Sequence, residues 1–199
     1  LGSPAGFLLR FIPDLRYKLV FNYGGLDFNR AKWNRLVQRV IKLGKDQAVK
    51  KSWKIVADNQ KIFDYVRREN NIEKSKIALI PYGGDHALKI IKDPGILLPK
   101  EYFLTIARIQ EDNNIELILD AGIISGANIV VVGNWSVSRW SQKVFKKYSK
   151  FDNLFLLNPI YNTSHLAFLR SNCSGYIHGH SAGGSNPTLI EIMFFRKPL

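Results

Sequence analysis

Chemistry is most concentrated in Gly179–Met193, which reads GHSAGGSNPTLIEIM. A glycine-rich stretch follows a β-like run and leads into a helical pattern, with Asn186 suited to cap the helix and Pro187 to open it. The backbone N–H groups of such a loop can approach an anion, and the helix N-terminus adds partial positive charge, so a diphosphate is the natural guest. Glu191, about one turn into the helix, could accept hydrogen bonds from ribose hydroxyls. A plain tight turn before a packed helix has the same composition. No Gly-Lys-Ser/Thr triplet and no Gly-x-Gly-x-x-Gly occurs, so neither the P-loop nor the dinucleotide fingerprint is present.

A second segment, Thr105–Asn114 (TIARIQEDNN), puts Arg108 just past a β-like run, at the strand end where open α/β sheets bind ligands. An arginine there can clamp phosphate oxygens in bidentate fashion or sit in a surface ion pair. Of four histidines, His86 lies near the junction of the chain's two halves, His178 and His180 flank the glycine loop, and His165 falls in a helical pattern that suggests a structural role. With Cys173, the histidine pair has no convincing metal-ligand spacing. Cys173 is the sole cysteine, so no intramolecular disulfide forms, and a small buried residue is the expected role.

These segments need a scaffold. The chain has 199 residues, 46% hydrophobic and 12% aromatic, enough to bury a core. Strand-like runs at Tyr17–Asn22, Lys54–Ala57, Lys76–Ile80, Glu101–Ala107, Asn128–Val132, Asn153–Leu157 and Gly175–Ile177 alternate with helical patterns. The helices are expected at Arg30–Leu43, at Asn59–Arg68 with Asp58 as cap, near Asn114–Ala121, Arg139–Ser149 and Thr163–Arg170, and at Pro187–Phe195. Such alternation implies parallel sheets with right-handed crossovers. Pro81–Lys100 loses all periodicity and reads as a linker, dividing the chain into domains 1–95 and 96–199.

The net charge is +13, and Arg30–Lys54 holds nine basic residues against the single acid Asp46. That run favours an anionic partner or forms a solvated helix face. Trp33 and Trp53 flank it; both could anchor at a membrane interface, although Trp33 has the spacing of a core residue. No window carries the roughly 18 apolar residues of a membrane helix.

In order, the sequence shows GLDFNRAKW (25–33), VADNQKIFDYV (56–66), IPYGGD (80–85), ARIQEDNN (107–114), VVVGNW (130–135), LLNPIY (156–161) and GHSAGGSNPTLIEIMFFRKP (179–198). This series resembles glycosyltransferase family 4, especially a bacterial rhamnosyltransferase-like subgroup of surface-polysaccharide synthesis. The resemblance implies the GT-B fold: two Rossmann-like domains, the first on the acceptor side and the second binding the donor, with both expected to be incomplete in this chain. It implies a retaining glycosyltransferase that moves a sugar, rhamnose in that subgroup, from a nucleotide-diphosphate donor to a lipid-linked glycan. No metal or other cofactor is expected, and no Asp-x-Asp pair is present.

By matching position, the resemblance assigns Arg108, Asn113, Gly133, Asn134, His180, Gly183, Gly184, Ser185, Asn186 and Glu191 to the donor. Asp27, Arg30 and Lys32 fall on the acceptor side, and Asp27 and His86 are the catalytic candidates. The sequence departs from the family at four places. Asn113 replaces a diphosphate-binding lysine. Gly183 replaces the first acid of the ribose-binding pair. Arg196 stands where glycine is usual. Gly24 stands where relatives carry His or Asp near the reacting centre. The implied location is cytoplasmic, peripheral at the inner face of the plasma membrane, against its anionic surface. Two other readings stay open: an inactive glycosyltransferase-like module that binds nucleotide or a partner, and a basic nucleic-acid-binding α/β protein. The second lacks any RNA-binding signature, so no nucleic-acid partner is expected.

Overall fold

A computed structural model describes residues 4–12, 19–29, 33–87, 90–181 and 185–199. The chain forms two units, one of Leu1–Tyr82 with Ala182–Asn186 and one of Gly83–Ser181 with Pro187–Leu199. The long segment of the first unit ends at Tyr82, and Gly83 begins the second unit.

The first unit holds a three-stranded parallel sheet, β1 (Val20–Asn22), β2 (Lys54–Ala57) and β3 (Ile77–Leu79), in the order β1-β2-β3. Helix α1 (Arg35–Lys51) starts later than the apolar spacing suggested, because Asn34 caps it: its Oδ1 accepts the Val37 N–H at 2.9 Å. It also runs further, since Ala48 and Val49 continue the buried face begun by Ile41 and Gly44. Helix α2 (Gln60–Asn70) is capped by Asn59, whose side chain accepts the Ile62 N–H at 2.9 Å. Asp58, the expected cap, has another use. The core joins Phe21, Tyr23, Ala48, Val49, Ile55, Ile62, Phe63 and Val66. Trp33, expected in the core, is 37% exposed, and Trp53 is 50% exposed.

The second unit holds β4 (Phe103–Ile106), β5 (Ile129–Val132), β6 (Leu154–Leu157) and β7 (Gly175–Tyr176), all parallel, in the order β6-β5-β4-β7. Helices α3 (Ile115–Ser125) and α4 (Arg139–Tyr148) join one core cluster with Ile129, Val131 and Leu154. Helices α5 (Thr163–Asn172) and α6 (Pro187–Phe194) join another with Leu104, Val130, Val132 and Tyr176. Odd and even residues of β5 thus face opposite layers, as a sheet covered on both faces requires. Crossovers run outward from β4 to β6, then the chain returns to place β7 on the other side of β4. The junction of β4 and β7 is therefore the topological switch point, where such sheets bind ligands at their carboxyl edge.

Candidate functional site

Every loop that follows a strand of the second sheet emerges at one edge, because all four strands are parallel. Those loops carry Arg108 after β4, Gly133 and Asn134 after β5, Asn158–Tyr161 after β6, and Ile177–Ser181 after β7. The loops after β4 and β7 flank the switch point and are locked together. Asn114 Nδ2 donates to the Gly179 carbonyl at 2.7 Å. The Ser181 N–H and Oγ both donate to the Asp112 carbonyl, at 3.1 and 2.8 Å. Gly179 is required by this approach: a Cβ there would lie 2.2 Å from the Asn113 carbonyl oxygen.

Arg108 is exposed in the loop just after β4. Asn113 is buried and donates to the Arg108 carbonyl at 2.6 Å. Its amide therefore shapes the turn that presents Arg108. Gly133 is buried against the same turn; a Cβ would lie 2.5 Å from Ile109 Cδ1 and 2.6 Å from the Ala107 carbonyl. Asn134 is exposed and accepts the Ser136 N–H at 3.0 Å. His180 stacks on His178 with ring centroids 4.6 Å apart and planes 12° from parallel. Burial lowers the His178 pKa below its usual value, which favours the neutral ring. Both imidazoles line an open groove of about 350 Å³ with Asn114, Leu117, Ala121 and Ile177.

Glu191 stands on α6 at the centre of a charged cluster. Oε2 receives Arg170 Nη2 from α5, and Oε1 lies 2.9 Å from His86 Nε2. The side chains of Arg170 and Glu191 are 4% and 15% exposed, while that of His86 is 57% exposed. Burial pushes the Arg170 pKa down, and Glu191 opposes that shift. Gly84 makes the geometry possible: a Cβ there would lie 2.5 Å from the Phe194 ring and 2.8 Å from the Ile190 carbonyl. The short turn Asp85–Ala87 can thus lie on α6 and bring His86 to Glu191.

Ser185 belongs to the first unit, at the carboxyl end of β2. Its N–H donates to Asp58 Oδ2 at 3.1 Å, and its Oγ accepts from Asn59 Nδ2 at 3.2 Å. Asp58 is buried and also accepts from Asn59 Nδ2 at 3.0 Å. Asn186 is half-buried beside it. Gly183, Gly184, Arg30 and Lys32 lie outside the described residues. Asp27 opens a short 3-10 turn, Asp27–Asn29, and its side chain also lies outside the description. Gly24 is exposed, and among the described residues a Cβ there would meet only Asn22 Oδ1, at 4.0 Å.

The basic run 30–54 does not form one solvated face. Lys45 is buried, Lys42 lies 3.8 Å from Glu69, and Lys54 donates to the Ser75 carbonyl at 2.6 Å. Arg35, Arg39 and Lys50 remain exposed. Arg170 and Lys45 were not singled out by sequence reasoning, and Asp58 was read only as a helix cap. The one available signal was a charge at an apolar position of a helix, as for Lys45 between Gly44 and Ala48.

Among family models, residues 2–85 match a domain of unknown function, DUF1972. No curated protein matches the sequence. The structure of TarM superposes with a TM-score of 0.65 at 13% identity, over 90% of this chain and 35% of its own. The pneumococcal O-GlcNAc transferase GtfA, in complex with UDP and GlcNAc, gives 0.61 at 13% identity, over 91% and 36%. MnaA from S. aureus with UDP gives 0.60 at 12% identity, over 98% and 52%. The chain thus spans 35% to 52% of the length of these solved structures. The likeness shows the fold: Rossmann-like units of the GT-B type. Among the described residues no helix is long and apolar enough to cross a membrane.

Proposed function

We propose that this chain is part of a retaining glycosyltransferase whose second unit binds a nucleotide-diphosphate sugar and whose first unit meets the acceptor. The carrying observation is the exposed Arg108 at the β4/β7 switch point, on a turn braced by Asn113 and Gly133. A cation on a rigid turn at that edge suits a donor diphosphate and the charge that builds as it departs. The likeness to GtfA, solved with UDP and GlcNAc, supports this class of ligand. Resemblance to glycosyltransferase family 4 adds the finer reading: rhamnose as the sugar, a lipid-linked glycan of surface-polysaccharide synthesis as acceptor, and no required metal. It also favours work at the inner face of the plasma membrane, where Arg35, Arg39 and Lys50 would meet anionic lipid.

The test is calorimetric titration of UDP and dTDP, followed by a radiolabelled-donor assay with a lipid-linked acceptor. Nucleotide binding that depends on Arg108, together with transfer, is the expected result. Conversion of UDP-GlcNAc without acceptor would assign the fold to a 2-epimerase, the activity named for two further structural neighbours with TM-scores of 0.50 and 0.51. Tight binding of a short RNA with no nucleotide binding would overturn the proposal altogether.

A further inference from the structure

Helix α1 is apolar on two sides, and only one of them is buried. Ile41, Gly44, Ala48 and Val49 face the interior of the first unit. On the opposite side Leu36, Val40 and Leu43 follow one another at the i, i+4, i+7 spacing that lines one helix face. They are 71%, 41% and 52% exposed. The solvent side of a helix ordinarily carries polar residues. An apolar stripe held in that position marks a surface that meets something less polar than water.

Charge around the stripe specifies what it meets. Arg39 and Lys50 are exposed on the same side of the helix, at i+3 from Leu36 and i+7 from Leu43, and the exposed Arg35 lies one turn before Arg39. Asp46 is the only acid in the helix. Trp33 just before the helix and Trp53 just after it are both partly exposed, and indole rings favour the level at which water gives way to apolar medium. A second copy of this chain would cover the leucines only by setting Arg35, Arg39 and Lys50 against their own kind. An anionic bilayer surface suits both features. Its phosphates pair with the basic side chains, and the boundary between headgroups and acyl chains takes the stripe.

We propose that α1 is an interfacial docking helix. It lies flat on an anionic membrane, with Leu36, Val40 and Leu43 inserted at the headgroup–acyl boundary and Arg35, Arg39 and Lys50 among the phosphates. This deepens the membrane-surface reading given above and rests on it. Charge brings the chain to the surface, and the apolar stripe holds it there.

The experiment is co-sedimentation of the 199-residue chain with vesicles of phosphatidylcholine, with and without phosphatidylglycerol, over a range of salt. Leu36→Ser combined with Leu43→Ser should lower partitioning onto the anionic vesicles at least about tenfold at every salt concentration. Ile124→Ser, which removes an exposed apolar side chain from the second unit, should leave it unchanged. Arg35→Gln combined with Arg39→Gln should flatten the salt dependence. Lipids brominated near the glycerol end of the acyl chain should quench tryptophan fluorescence, and Trp33→Phe combined with Trp53→Phe should remove most of that quenching. All the substituted side chains are exposed or partly exposed, and thermal melts check that the variants fold. Unchanged partitioning of the folded double serine variant overturns the inference and leaves the charge-driven reading standing. So does an equal loss in Ile124→Ser, or a dimer of the unmodified chain that the serine pair dissolves while vesicle binding persists. Failure to bind any vesicle overturns both. Nucleotide binding is read separately by calorimetry, so the nucleotide-sugar reading stands or falls on its own.

Discussion

His86 Nε2 lies 2.9 Å from Glu191 Oε1, and Arg170 engages the other oxygen of the same carboxylate. The residue that resemblance assigns to the donor ribose is thus occupied on both oxygens. A ribose hydroxyl reaching Glu191 competes with the exposed His86 for Oε1, because Arg170 is held inside the core on Oε2. His86→Ala should therefore tighten UDP binding, read by calorimetry; weaker binding would mean that His86 itself contacts the nucleotide. Arg170→Met should destabilise the protein by about 3–5 kcal/mol, the cost of leaving one partner of a buried pair uncompensated, measured by urea denaturation.

Arg108 is exposed, so its removal should leave the fold intact and act on ligand binding alone. Arg108→Ala should weaken UDP binding by about 1.5–3 kcal/mol, the range for a hydrogen bond to a charged group. An unchanged dissociation constant would remove the diphosphate site from this edge.

Gly24 has no left-handed backbone requirement, and among the described residues a Cβ there meets nothing nearer than Asn22 Oδ1 at 4.0 Å. Gly24→His or Gly24→Asp should fold with a melting temperature close to that of the unmodified chain. If the missing side chain limits turnover, either variant should raise the transfer rate, by up to about 10²–10⁴-fold for a restored general acid or base. A folded variant with no gain would show that the reacting group lies elsewhere.

His178 gives a pH prediction. Burial lowers its folded-state pKa below 6.5, so on acidification the unfolded chain takes up the proton first. Its contribution to stability is complete above pH 6.5. It is lost as pH falls from 6.5 through the lower folded-state value. His178→Phe keeps a ring to stack on His180 and removes the titration. Between pH 7 and pH 5 its melting temperature should fall less than that of the unmodified chain.

The exposed Arg35, Arg39 and Lys50 motivate a membrane test. Co-sedimentation should require anionic vesicles and fall as salt rises, because exposed charges are screened beyond about 8–10 Å at physiological ionic strength. Equal binding to neutral vesicles would count against the charge-driven reading.

The α/β alternation, the seven strand positions and the class of fold were legible in the amino-acid sequence, because apolar period and turn residues are local properties. Boundaries moved wherever a side chain decided them. Asn34 delayed α1, and Asn59 displaced Asp58 as the α2 cap because its carboxamide reaches the Ile62 N–H. Arg108 at a strand end was legible too, since residue type and the preceding run suffice to place it.

What the sequence could not carry is which distant groups meet. Glu191 is separated from His86 by 105 positions, Asp58 from Ser185 by 127, and Lys45 from Gly25 by 20. Each pairing depends on crossover paths and close approaches, such as Gly84 on α6, that leave no local pattern in the sequence. Sequence alone fixed the order of elements and the edge at which ligands meet them. Tertiary structure decided that Glu191 is ion-paired, that Asn113 faces inward, and that Lys45 leaves the basic run for the core, because burial and partner choice are properties of the packed chain.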